Sequence, residues 1–172
     1  MNFLDMAKMR YSVRNYQEKR VDREKLNTIL EAGRVAPTAA NMQPQRILVV
    51  ESADGLAKLS KATKTFNAPL ALIICADKEN VWVRPQDGKK TYDIDASIIT
   101  DHMMLQATEL GLGTLWMTWF DPAVVKKEFD LPSNYEPVNI LLLGYAGGNP
   151  QPPERHNQAR KPIGETVFFE KF

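Results

Sequence analysis

Apolar positions recur at helical spacing in Phe3–Met9, where Phe3, Met6 and Ala7 share a face, and again in VDREKLNTILEAGRVAP, where Leu26, Ile29 and Leu30 do. The second stretch has Asp22 as N-cap and Gly33 and Pro37 as stop signals, so it predicts a helix between them. RILVVE (46–51) and LALIICA (70–76) are continuous, β-branched apolar runs, the pattern of strands covered on both faces, and DGLAKLSKATK between them has helical periodicity. Tyr92 to Leu110 predicts a long helix whose apolar side chains, among them Ile94, Ile98, Met104 and Leu105, spread over more than one face. Such a helix is expected to be buried deeply, or buried twice, once in its own core and once in a partner subunit. GLG (111–113) ends it, and TLWMTWF follows as an aromatic strand. Asp121 as N-cap and Pro122 at the first helical position open a short helix; PVNILLLGYAGG (137–148) is the most apolar strand and belongs in the centre. The proline-rich stretch that follows leads to a last strand, TVFFE (166–170), on a tail able to reach across a neighbour.

Composition narrows the class. A chain of 172 residues is long enough to bury roughly 70% of its unfolded surface in one domain, 1–172, without staples. Cys75, the one cysteine, lies inside an apolar run and reads as a buried small hydrophobe, so reducing, cytoplasmic surroundings are expected. Asp5 interrupts the only candidate signal core, and no apolar run approaches the ~20 residues that cross a bilayer. The 22 basic and 21 acidic side chains are mixed along the chain, leaving a formal charge of +1. No long-range field recruits nucleic acid or membrane, and any anion must be held locally.

Several chemistries lack their residues. Of the two histidines, neither His102 nor His156 has a second ligand at metal spacing, so no metal is expected and His102 reads as a packed or hydrogen-bonded side chain. There is no G-x-S-x-G elbow, P-loop or G-x-G-x-x-G, and GLG alone indicates little beyond a helix stop.

Positive clusters without a glycine-rich loop remain. In RYSVRNY, an extended backbone puts Arg10, Ser12 and Arg14 on one side, a rake of guanidinium and hydroxyl donors suited to phosphate oxygens. The same arginines also suit the C-terminal end of a helix dipole, worth under ~1 kcal/mol. ARKP, with Arg160 and Lys161, forms a second cluster near the other terminus. Between them APTAANMQPQ (36–45) breaks a helix with Pro37 and offers small residues and the amides of Asn41 and Gln43, a surface that fits either a flat ring edge or an ordinary helix-to-strand loop.

Taken together, RYSVR, APTAANMQP and ELGLGTLWMTWF resemble, in this order, three motifs of the FMN-dependent nitroreductase family: Arg-x-Ser-x-Arg, Pro-Ser-x-x-Asn-x-Gln-Pro and Gly-Leu-Gly-Thr-x-Trp. The resemblance extends over most of the chain. It implies an α+β fold, a central and mostly antiparallel sheet flanked by helices, in an intertwined homodimer whose C-terminal arm wraps the partner. By position, Arg10, Tyr11, Ser12, Arg14, Arg160 and Lys161 would hold the FMN phosphate and ribityl chain. Pro37, Thr38, Ala39 and Asn41 would come from the other subunit, against the flavin rings. Trp116, Met117 and Thr118 would run past the flavin, with the Thr118 N–H toward N5, and Lys64 would place positive charge near N1 and O2.

Two positions depart from the family pattern: Thr38 and Ala39 stand where serines are frequent, and Trp119 where glycine is. The implied activity is ping-pong hydride transfer from NAD(P)H, through flavin N5, to a nitroaromatic, a quinone or a similar flat acceptor. No side chain need serve as catalytic acid or base, and Trp82 and Trp119 are candidate walls of the substrate pocket. A non-catalytic flavin-binding regulator or carrier would use the same grip.

Overall fold

The computed structural model describes residues 2–172. In chain order its elements are α1 (Phe3–Met9), α2 (Arg23–Val35), β1 (Gln45–Val50), α3 (Ala53–Ser60), β2 (Leu70–Asp77), α4 (Tyr92–Glu109), β3 (Gly113–Met117), α5 (Pro122–Glu128), β4 (Tyr135–Gly144) and α6 (His156–Ala159), with short 3-10 turns at Ala39–Asn41, Pro153–Arg155 and Ile163–Glu165. The strands form one antiparallel sheet in the order β1-β2-β4-β3. The chain is therefore α+β, as expected.

Side chains alternate across a strand, so the two apolar central strands feed two cores. Leu70, Leu72 and Ile74 of β2, with Leu141 and Leu143 of β4, pack on one face against Leu26 and Ile29 of α2 and Ile99 and Met103 of α4. Ala71, Ile73 and Cys75, with Ile140 and Leu142, pack on the other against Leu59 of α3, Val125 of α5 and Val13. The β2–β4 register slips by one residue at Val138, beside Pro137, which has no N–H to give the ladder.

Four local readings are corrected. Helix α2 passes through Gly33 to Val35; that glycine is a packing position, where a Cβ would lie 2.9 Å from Met103 Cγ. Asp22 stands at the N-cap of α2, yet its carboxylate accepts from the Tyr145 hydroxyl at 2.8 Å instead of capping the helix. The aromatic strand ends at Met117, because the next residues are drawn off the sheet: the Thr63 hydroxyl donates to the Trp119 carbonyl at 2.6 Å, and Asp121 N–H to the Ala62 carbonyl at 3.0 Å. The segment 166–170 forms no strand. Among the described residues it has no ladder partner in its own chain, and Val167, Phe168, Phe169 and Phe172 are exposed.

Helix α4 is apolar on two sides. Ala96, Ile99, Met103 and Ala107 face the core, and on the outside Leu105 joins Phe3 and Met6 of α1 and Ala32 and Val35 of α2 in a groove of about 490 Å³. Among the described residues no helix is long and apolar enough to cross a membrane.

Candidate cofactor site

The site begins where α1 ends. Residues 10–16 run along the outer edge of β3: Val13 N–H donates to the Thr114 carbonyl at 2.9 Å, Ser12 forms a parallel bridge with Thr114, and Tyr16 bridges Ala146. Val13 is buried, which leaves Ser12 and Arg14 on the exposed side of the segment. Gly113 makes the close approach possible, since a Cβ there would sit 2.6 Å from Val13 Cγ2. The second glycine of GLG thus serves the arginine segment, a role its sequence context gave no means to assign.

The two ends of the chain meet at Arg10. Its guanidinium, half-buried, is held below the ordinary arginine pKa by burial and then by the charges of Arg155 and Arg160, with Asp101 of α4 opposing them. Arg155 donates to the carbonyls of Arg10, Lys8 (3.0 Å) and Pro152 (3.0 Å). Arg160 Nε reaches His156 Nδ1 at 3.5 Å, and Lys161 follows it, exposed. Sequence reasoning missed Arg155: it stands in the proline-rich PPER stretch, whose composition announces no regular structure and hides the contact with α1.

A cleft of about 330 Å³ is lined by Arg14, four residues beyond Arg10 on the same segment, together with Thr63, Lys64, Phe66 and residues 115–119. It continues into a polar extension bounded by Asn15, Ser60, Thr65 and Asn67 as well. Trp116 is half-buried and Met117 buried at the end of β3, whereas Thr118 is exposed and Trp119 is 88% exposed at the rim. Lys64 Nζ lies 5.0 Å from the Phe66 ring centroid. Phe66 and Asn67 both hold left-handed backbone, φ 53° and 58°, an uncommon conformation that clusters at ligand sites. Among the described residues neither Arg14 nor Lys64 forms a salt bridge, so both cations are available to an anion.

The remaining candidates lie elsewhere on the chain. Thr38 and Ala39 are half-buried and Pro37 and Asn41 exposed, in a loop pinned by Ala39 N–H to the buried Asp95 carboxylate (2.8 Å) and by Gln43 N–H to the Thr38 hydroxyl (3.1 Å). Asp95 is a second residue missed at the sequence level, because a carboxylate on an apolar helix gives no sign of which loop it will meet. None of Pro37, Thr38, Ala39 or Asn41 lines the cleft of its own chain. Trp82 is half-buried and also outside that lining; its carbonyl accepts from the N–H and hydroxyl of Thr91 at 3.2 Å each. Arg84 is engaged by Asp87 within the same loop. His102 Nδ1 lies 2.9 Å from the Ile98 carbonyl, a packed histidine. No group of acidic, histidine and cysteine side chains able to hold a metal occurs among the described residues.

The first and third sequence motifs meet in one cleft, through Arg14 and residues 115–119, while the second lies outside it on its own chain; comparison with known proteins decides the family. The nitroreductase family model matches residues 7–70 and 58–145. The chain belongs to the nitroreductase family. A nitroreductase family protein from Clostridium difficile 630, known from its crystal structure, is 53% identical, with a TM-score of 0.99 over 100% of both chains. An FMN-dependent nitroreductase from Clostridium difficile R20291 is 29% identical, TM-score 0.77, covering 98% of this chain and 99% of that one. An NADH dehydrogenase from Thermus thermophilus is 28% identical over an alignment that covers 87% of this chain and 89% of its own.

The donor set of this nitroreductase fits a flavin mononucleotide. Guanidinium groups short of carboxylates suit a phosphate, and the cleft lined by Arg14 presents a second cation, Lys64, and aromatic walls for a planar ring.

Proposed function

We propose that this nitroreductase holds FMN at the seam between two copies of the chain and uses NAD(P)H to reduce a flat acceptor such as a nitroaromatic or a quinone. One observation carries the reading: Arg155 donates to the carbonyls of Lys8 and Arg10, so the two ends of the chain meet there, and Arg10 feels the positive charges of Arg155 and Arg160 with the Asp101 carboxylate opposing them. Such a cluster is stabilised by a bound dianion. The names of the relatives support the rest, one being an FMN-dependent nitroreductase and another an NADH dehydrogenase.

When bound, the flavin supplies hydride transfer between nicotinamide and acceptor. The side chains bind, orient and exclude water. Arg10, Ser12, Arg160 and Lys161 take the phosphate, with Tyr11 beside them on the same segment. Arg14 and Lys64 bring positive charge to the ring edge, where it favours the reduced, anionic form. Trp116 and Met117 fix the strand end from which Thr118 presents its N–H. Pro37, Thr38, Ala39 and Asn41, which lie outside their own cleft, serve the cleft of the partner. Trp119, on the rim, and Trp82, on its loop, wall the slot shared by nicotinamide and acceptor.

The dimer rests on surfaces left over in the single chain. The apolar groove between α1, α2 and α4 needs cover, and β1 has an unpaired outer edge. The tail has strand-forming composition and no strand partner of its own. Two copies solve both problems by exchanging tails.

The test is direct. Freshly purified protein should be yellow, and anaerobic NADH or NADPH should bleach it. Yellow protein that resists bleaching would establish the carrier reading, and colourless protein with no thermal shift on added FMN would remove the flavin. Arg14→Ala should weaken FMN retention by about 1.5 to 3 kcal/mol, the scale of a hydrogen bond to a charged group. Retention equal to wild type takes Arg14 out of the site.

A further inference from the structure

We propose that Arg155 is a positioning residue for the cofactor phosphate, acting through Arg10 and Arg160; this rests on the FMN reading above. Helix α1 has only seven residues, and its last carbonyls have no partner within the helix. Arg155 takes up part of that capacity, donating to the Lys8 carbonyl in the last turn and to the carbonyl of Arg10 just past it, and it closes onto its own segment through the Pro152 carbonyl. His156 adds a ring nitrogen 3.2 Å from the Lys8 carbonyl. One planar fork thus fastens the proline-rich C-terminal segment to the residue that opens the arginine rake, and no flexible ammonium reaches three carbonyls in the same way.

Two consequences follow. The backbone of Arg10 is held by its carbonyl, so its side chain needs less ordering when a phosphate arrives. Arg160, one short helix further on, is carried to the same place. All donors of Arg155 that make bonds end on neutral carbonyls and none on a carboxylate, so its charge remains uncancelled and adds to the field at the phosphate position.

A role in overall stability and a role in phosphate positioning make different predictions, because riboflavin shares the ring and ribityl chain of FMN and lacks the phosphate. Dissociation constants for FMN and for riboflavin should be measured by flavin fluorescence quenching on wild type, Arg155→Lys and Arg155→Met, alongside thermal melting of the flavin-free proteins. Arg155→Met should weaken FMN at least about tenfold, the loss of a hydrogen-bonded charged group, and leave riboflavin affinity within about twofold. Arg155→Lys should lie between, keeping the charge and losing the fork. Equal weakening of both flavins, or no weakening of FMN, overturns the proposal; should Arg155→Met fail to fold, the same criterion applied to Arg155→Lys decides. A wild type that binds neither flavin removes the FMN reading itself, and a wild type that binds FMN no better than riboflavin removes the phosphate grip on which Arg155 would act.

Discussion

The two edge strands of the sheet are managed in opposite ways. Four of the five residues of β3 are buried, although it is an edge strand, because residues 10–16 lie along it. Five of the six residues of β1 are only half-buried. An unpaired edge with apolar side chains invites another chain. The contrast teaches where the molecule closes itself and where it waits: the edge sealed within the chain carries the arginine rake, and the open edge is the one that a second copy would complete.

Removing the tail gives the largest effect. A chain ending at Pro162 keeps every strand and both cores, since residues 163–172 are exposed in the isolated chain. If the open edge is completed by a partner's tail, truncation should turn the dimer into a monomer in sedimentation analysis, abolish the concentration dependence of Tm, and reduce FMN affinity by roughly 100-fold or more, about 2.7 kcal/mol of lost linkage. A truncated protein that remains dimeric leaves β1 without this explanation.

Opening the closed edge comes next. In Gly113→Val the added carbons fall on Val13, already 2.6 Å from an added Cβ, so the 10–16 segment must lift from β3 or β3 must shift. Overpacking of this kind costs about 1 to 3 kcal/mol. FMN retention should fall with it, because Arg10, Ser12 and Arg14 all ride on the displaced segment. Denaturant unfolding separates the two losses: normal FMN affinity in a destabilised protein would show that the register of the segment on β3 does not govern the rake.

Legibility in the sequence follows the same division. The central strands and the long helix were readable because their burial depends on their own apolar pattern: LALIICA and NILLLG fill two cores by simple alternation. Cys75 and His102 took the packed roles that their apolar neighbours required. Reading failed where an element's state depends on another segment. Gly33 looked like a stop signal because the approach of Met103, 70 residues away, is invisible locally, and TVFFE has the composition of a strand without a ladder in its own chain. In the site, the arginines were legible as a type and a spacing. Arg155 was not, since its partners are backbone carbonyls and leave no trace in side-chain chemistry.

The smallest effect belongs to β2, one of the two strands between the edges, and it separates core from site. Burial, assisted by the nearby Glu136 carboxylate and opposed by Lys126, pushes the Cys75 thiol from its ordinary value of 9.0 up to about 12. The folded protein therefore retains a proton that the unfolded chain releases once the pH passes 9.0. This contribution to stability is complete below that value and is lost as pH rises toward 12, at up to about 1.4 kcal/mol per pH unit. Tyr16, whose phenol is also raised by burial, adds a similar loss above its ordinary 10.0. Cys75→Ala removes the thiol's share. Urea unfolding at pH 8 and at pH 9.5 should show a smaller decline for the variant than for wild type, beneath a constant offset for the missing sulfur. FMN affinity at pH 8 should be unchanged, because Cys75 faces the core formed with Leu59 and Val125 and lines neither the cleft nor its polar extension. Parallel pH curves for the two proteins would mean that the thiol ionises as readily folded as unfolded, and the seal around the central strand would then be looser than its burial implies.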